Sequence, residues 1–129
     1  METNRIAQTD GRPHSSQGVT SQLCNEMVRI YKEMFGRGPT RVRADWAGPD
    51  TLLCTLEDSL TPAERKMVEL GEDQRLREVR MFFQHASENN FRASVERITG
   101  RKVRAFVSGI DTDKDVSSEV FYLERSTPG

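Results

Sequence analysis

The chain has 129 residues, 35% hydrophobic and 30% charged, with a net charge of −1. That length suits one domain and is short for two, and the balanced charge argues against a nucleic-acid binder driven by bulk electrostatics. No apolar run reaches the ~18 residues of a membrane span and the N-terminus lacks the apolar stretch of a signal peptide, so the expectation is a cytoplasmic protein that does not insert into a membrane.

Residues 1–19 hold Gly, Ser, Gln, Thr, Asn and Pro with almost nothing to bury, and read as a disordered tail. Residues 20–125 read as a single domain and 126–129 as a disordered end. Leu23, Met27, Ile30, Tyr31 and Met34 recur at helical spacing, which predicts a helix from about Ser21 to Phe35, ended by Gly36. Gly38-Pro39 forbids its continuation. Thr40 to Ala47 alternates, with Val42, Ala44 and Trp46 opposite Arg41, Arg43 and Asp45, which is the period of a half-buried strand. After the turn Gly48-Pro49-Asp50, Thr51 to Glu57 gives a second strand and a hairpin.

Thr61-Pro62-Ala63-Glu64 is a capping box with proline at the first helical position, and the short helix it opens ends at Gly71. Asp73 then starts a helix to about Thr99, with Leu76, Val79, Phe83, Ala86, Phe91, Val95 and Ile98 as its apolar stripe. At ~1.5 Å per residue it would be roughly 40 Å long, wider than so small a domain, and Asn89-Asn90 offers a place to bend or break. Lys102 to Ser108 alternates, with Val103, Ala105 and Val107 opposite Lys102, Arg104 and Phe106. A polar loop from Gly109 to Ser117 leads to a last strand, Ser118 to Glu124, apolar on both faces.

The order α-β-β-α-α-β-β predicts an α+β, two-layer fold: a four-stranded antiparallel-rich sheet with helices packed on one face. The second and fourth strands are apolar on both sides, and the chain has too few elements to cover both faces of the sheet. A homodimer is therefore expected, with the sheets or the long helix at its interface. The alternative is that the long helix wraps the exposed edge of its own subunit.

Few residues suggest chemistry. Asp111, Asp113 and Asp115 alternate as in a calcium loop, but Val116 and Tyr122 stand where glycine and a bidentate glutamate are needed, so the run reads as a solvated hairpin loop. His14 and His85 are too few for a histidine-based metal centre or triad, and His85 with Glu88 reads as a surface pair. Cys24 and Cys54 read as free thiols without a Cys-x-x-Cys motif. Gly36-Arg37-Gly38-Pro39 lacks the Gly-Lys-Ser/Thr ending of a phosphate loop and reads as a rigid turn. No catalytic residue, metal or cofactor is assigned.

Arg37, Arg41 and Arg43 near the first strand, and Arg101, Lys102 and Arg104 near the third, would form one arginine-rich patch if they shared a side of the sheet. The other reading is cross-strand ion pairing on a solvated face. The mixed charges at Glu69, Glu72, Arg75, Arg77, Glu78 and Arg80 read as a solvated helix surface.

The run Leu23 to Thr40, the cap Leu60 to Glu64, the segment Thr99 to Val103, and Asp111 to Asp113 followed by Glu119-Val120-Phe121 resemble the MpsC-like family over about Ser21 to Arg125. The resemblance implies a soluble accessory piece of a sodium-translocating, membrane-potential-generating system, whose membrane partners also resemble inorganic-carbon uptake machinery. The expectation is a non-enzymatic accessory or regulatory domain that contacts transport subunits, with Arg37, Gly38, Arg41, Arg43 and Arg104 as candidate contact residues. The alternative is a small-molecule or anion sensor with its ligand held by Arg41, Arg43 and Arg104 at the dimer seam.

Overall fold

The structure, a computed structural model, describes residues 17–125. The helices are α1 (Gln22–Phe35), α2 (Pro62–Glu69), α3 (Asp73–Ala86) and α4 (Glu88–Thr99), and the strands are β1 (Arg41–Trp46), β2 (Thr51–Glu57), β3 (Val103–Asp111) and β4 (Val116–Leu123). All neighbouring strands are antiparallel, in the order β1-β2-β4-β3. The fold is thus α+β, in the predicted element order. The two strands apolar on both faces, β2 and β4, occupy the centre of the sheet, where each has a neighbour on both sides.

The expected tail over 1–16 and the end over 126–129 lie outside the described residues. Residues Gln17–Ser21 form a π-helical turn, and Val19 packs against the core, so the described fold begins ahead of residue 20.

The main core lies between α1, α4 and one face of the sheet. Leu23, Met27, Ile30 and Tyr31 of α1 and Phe91 and Val95 of α4 meet Leu52, Cys54 and Leu56 of β2 and Phe121 and Leu123 of β4. Each such side chain contributes about 1.5–3 kcal/mol on leaving water. Phe106 lies 5.4 Å from Phe91 and 5.2 Å from Phe121, ring to ring. A smaller cluster of Leu60, Leu76 and Ile110 seats α2 and α3, with Met67, Val68 and Met81 around it. Gly36 ends α1 at φ +80, where its amide donates to Lys32 O at 2.8 Å, a conformation that a side chain would strain.

Three expectations change. The long helix bends at Ser87, two residues before Asn89. The Ser87 amide still donates to Phe83 O and the Phe91 amide to Ser87 O, so the hydrogen-bond ladder carries through the bend. Bending lets α3 and α4 both lie on a sheet whose outer strands are only about 14 Å apart. Second, a β-bulge between Val103 and Ala105 shifts the faces of β3. Val103, Phe106, Ser108 and Ile110 turn inward, whereas Val107, expected beside Val103, is 53% exposed. Third, the segment read as a loop from Gly109 to Ser117 is largely strand, because Ile110 and Ser117 have buried places on the inner face.

Candidate functional site

The five residues expected at a contact surface fall in different places. Arg37 is tied inward: Nη1 donates to Asp58 O at 2.6 Å and Leu60 O at 3.0 Å, and Nη2 pairs with the Asp58 carboxylate at 3.3 Å. Gly38 lies so close to α1 that a Cβ would meet Val28 Cγ1 at 3.2 Å and Val28 O at 3.3 Å. Arg41 pairs with Glu57 at 3.2 Å and Arg43 with Asp45 at 2.8 Å. Such exposed pairs contribute about 0.2–1 kcal/mol each. Arg104 sits over the Tyr122 ring, 5.6 Å from its centroid.

These basic residues do not converge on one patch. Arg41 and Arg43 lie on β1 and Arg104 on β3, the two opposite edges of the sheet, with β2 and β4 between them. Arg101 closes the end of the sheet instead, binding Asp50 at 2.5 Å, Pro49 O at 2.9 Å and Glu124 O at 2.7 Å.

The aspartate loop also serves the fold. Asp111 accepts the Lys114 amide at 2.9 Å. Asp115, at φ +58 and buried, accepts the Ser59 and Leu60 amides at 2.9 and 3.1 Å, tying the β3–β4 turn to the start of α2. Among the described residues, no group of three or more His, Cys, Asp or Glu side chains could hold a metal ion. His85 is exposed, and Glu88 pairs with Arg92 at 2.7 Å. Burial pushes the Cys24 thiol up to about 11, so it stays protonated at neutral pH.

Polar chemistry is concentrated in the interior. Arg80 of α3, read from sequence as a surface residue, is fully buried. Its fork grips Glu64, with Nε to Oε2 at 3.0 Å and Nη2 to Oε1 at 2.6 Å, and Nη2 also donates to Ser59 O at 3.0 Å. The guanidinium stacks 3.6 Å above the Phe35 ring. Glu64 at the same time completes the predicted capping box, accepting the Thr61 amide at 2.8 Å. Burial raises the Glu64 pKa, but hydrogen bonds from Arg80 and the Thr61 amide outweigh it and hold the carboxyl below its usual range.

One turn along α3, Gln84 reaches Glu119 in the middle of β4. Gln84 Nε2 donates to Ser108 Oγ at 2.6 Å and to Glu119 Oε2 at 3.2 Å, while the Tyr31 hydroxyl donates to the same Oε2 at 2.5 Å. Among the described residues, Gln84 Oε1 and Glu119 Oε1 have no hydrogen-bond partner. Burial pushes Glu119 up to about 8, against hydrogen bonds from Ser108, Tyr31 and Gln84 that pull it down.

This interior inverts α3. Leu76, Arg80 and Gln84, four residues apart, face inward, so of the α3 stripe only Leu76 is buried, while Val79 is 49% and Phe83 41% exposed beside Phe82 at 67%. Phe82 and Phe83 meet edge to face with centroids 5.4 Å apart, and Phe83 reaches Phe35 at 6.1 Å. Apolar periodicity along α3 selects the outward stripe as core. The competing signal was a glutamate between Ser117 and Phe121 on an inward-facing strand register, a carboxyl that requires donors from whatever helix covers it.

Among the described residues, no helix covers the other sheet face. Its central outward residues are Leu53, Thr55, Ser118, Val120 and Tyr122, joined by exposed Val107, and none of them belongs to either core cluster. A family model described as Na+-translocating membrane potential-generating system (MpsC) matches residues 15–125. No curated protein and no solved structure matches.

Proposed function

Because the chain belongs to the MpsC family, we propose that it is a non-enzymatic accessory or regulatory component of a Na+-translocating or inorganic-carbon transport system, working by protein–protein contact on the cytoplasmic side. The family description ties it to Na+ translocation. Among the described residues no helix is long and apolar enough to cross a membrane, so contact with membrane subunits would run through the surface.

The observation that supports contact is the outward stripe of Val79, Phe82, Phe83 and Ala86 on α3. Two exposed phenylalanines on one helix face are unusual on a free surface and common where a helix enters a partner's apolar groove. Their exposure has a cause in the fold, since the inward side of α3 is committed to Arg80 and Gln84. The absence of an enzyme role is supported by Cys24, whose thiol is held protonated, and by Glu119 and Tyr31, which face each other inside the core. The anion-sensor reading has less support, because Arg41 and Arg43 each already hold a carboxylate and Arg104 lies at the far edge.

The test is recovery of the tagged full chain with the membrane fraction, in cells with and without the transport subunits. Recovery that depends on those subunits and falls at least several-fold in Phe82→Asp is expected. A chain indifferent to the subunits would refute the reading.

A further inference from the structure

We propose that the helix-free sheet face packs against the same face of a second copy of this chain, about a two-fold axis that runs parallel to the strands between β2 and β4. The strand register fixes what this face presents. Its four outward rows read Arg41, Glu57, Val116, Asp111; then Arg43, Thr55, Ser118, Gly109; then Asp45, Leu53, Val120, Val107; then Thr51, Tyr122, Ala105, with Arg104 in the bulge beside it.

Rotation about that axis exchanges β1 with β3 and β2 with β4, and leaves height along the strands unchanged. Leu53 then lies against Val120 of the second copy, Thr51 against Tyr122, and Thr55 against Ser118. The edges complement each other in charge. Along the same direction the β1 edge reads Arg41, Arg43, Asp45, and the β3 edge reads Asp111, Gly109, Val107, Arg104. Arg41, which pairs with Glu57 in its own sheet, therefore faces Asp111 of the second copy, and Asp45 faces its Val107, one row from its Arg104. The charges of a single sheet, set at opposite edges and in opposite order, are those that a self-complementary interface requires.

A two-fold axis across the strands is a poorer solution. Placed between the rows it would set Leu53 over Thr55 and Val120 over Ser118, and placed at the height of Leu53 it would set Asp45 of one copy over Asp45 of the other. Aligned packing also matches the way two twisted sheets stack in sandwiches, about 10 Å apart. Four strands by four rows offer a face of about 19 Å by 24 Å, at the small end for a stable pair. The dimer is therefore expected to dissociate on dilution.

Sedimentation velocity of the full chain over a concentration series tests the packing. The wild type should shift from dimer to monomer as it is diluted. Val107→Asp, at an exposed position and with the fold checked by circular dichroism, sets a carboxylate against Asp45 of the second copy and should weaken the dimer at least about ten-fold. Arg41→Asp alone and Asp111→Arg alone should each weaken it about ten-fold, and the two together should restore it, because each swapped charge again meets its opposite. Restoration within one subunit is ruled out by the separation of the two residues across the sheet, about 14 Å. A monomer at every concentration would overturn the proposal, as would a dimer indifferent to Val107→Asp or a double variant no better than the singles. None of these outcomes bears on recruitment by transport subunits, which is read through Phe82.

Discussion

Glu119 is an ionisable carboxyl fully buried in the core. It sits at the centre of the sheet, and among the described residues its hydrogen bonds come from neutral side chains, those of Tyr31, Gln84 and Ser108. With its ordinary value at 4.5 and its folded value at about 8, the native chain holds a proton that the unfolded chain has already released in that window. Its contribution to stability is therefore full below about pH 4.5 and is lost as pH rises through 8, with a slope of up to about 1.4 kcal/mol per pH unit. Glu119→Gln should remove that slope and raise the melting temperature at pH 8.5, since an amide can donate where the proton would, toward the unpartnered Gln84 Oε1. Parallel pH–stability curves for variant and wild type would contradict the assignment. Arg80→Ala should cost about 3–5 kcal/mol in denaturant titration, because it strands the half-buried Glu64 carboxylate and removes the stack on Phe35. A loss below about 1 kcal/mol would mean that water replaces the guanidinium.

Among the elements, the helix boundaries and the first hairpin were legible because local chemistry sets them. Gly36, Gly100 and the Thr61 capping box each satisfy orphan backbone groups within a few residues of themselves. Thr61→Ala should accordingly destabilise the fold by about 1 kcal/mol, measured by chemical denaturation, with a larger loss expected if freeing Glu64 from the cap also loosens its hold on Arg80. What local pattern did not reveal was decided across the chain. The bulge after Val103 breaks the alternation that set Val107 on the same side as Val103, and only pairing with β4 makes it visible. The face of α3 was misread for the same kind of reason: a stripe of valine and phenylalanine outscores arginine and glutamine in hydropathy, until the strand beneath is known to present Glu119 and the neighbouring helix start to present Glu64. The candidate arginines Arg41, Arg43 and Arg104 were readable as exposed and basic. That they lie at opposite edges follows from the strand order, which pairs β2 with β4 and which no short-range signal encodes.

Among the described residues, the sheet has one face dressed by helices and one without them. Helices cover Leu52, Cys54, Leu56, Phe121 and Leu123, and leave Leu53, Val107, Val120 and Tyr122 to the outside. The two strands apolar on both sides led to the expectation of a cover over the second face, and the structure adds where the charges around that face lie. The proposed two-fold packing would leave α3 at the outside of a dimer, so that each assembly would carry two aromatic stripes for the proposed transport partners. Such a pair of sites gains in effective concentration over one. The most direct measurement is site-directed cross-linking of the full chain carrying Arg41→Cys and Asp111→Cys together, with a bismaleimide of about 10 Å span, the distance between packed sheets. Face-to-face pairing predicts a covalent dimer from the double variant and almost none from either single variant. Monomer throughout, or equal dimer yield from a single variant, would contradict it.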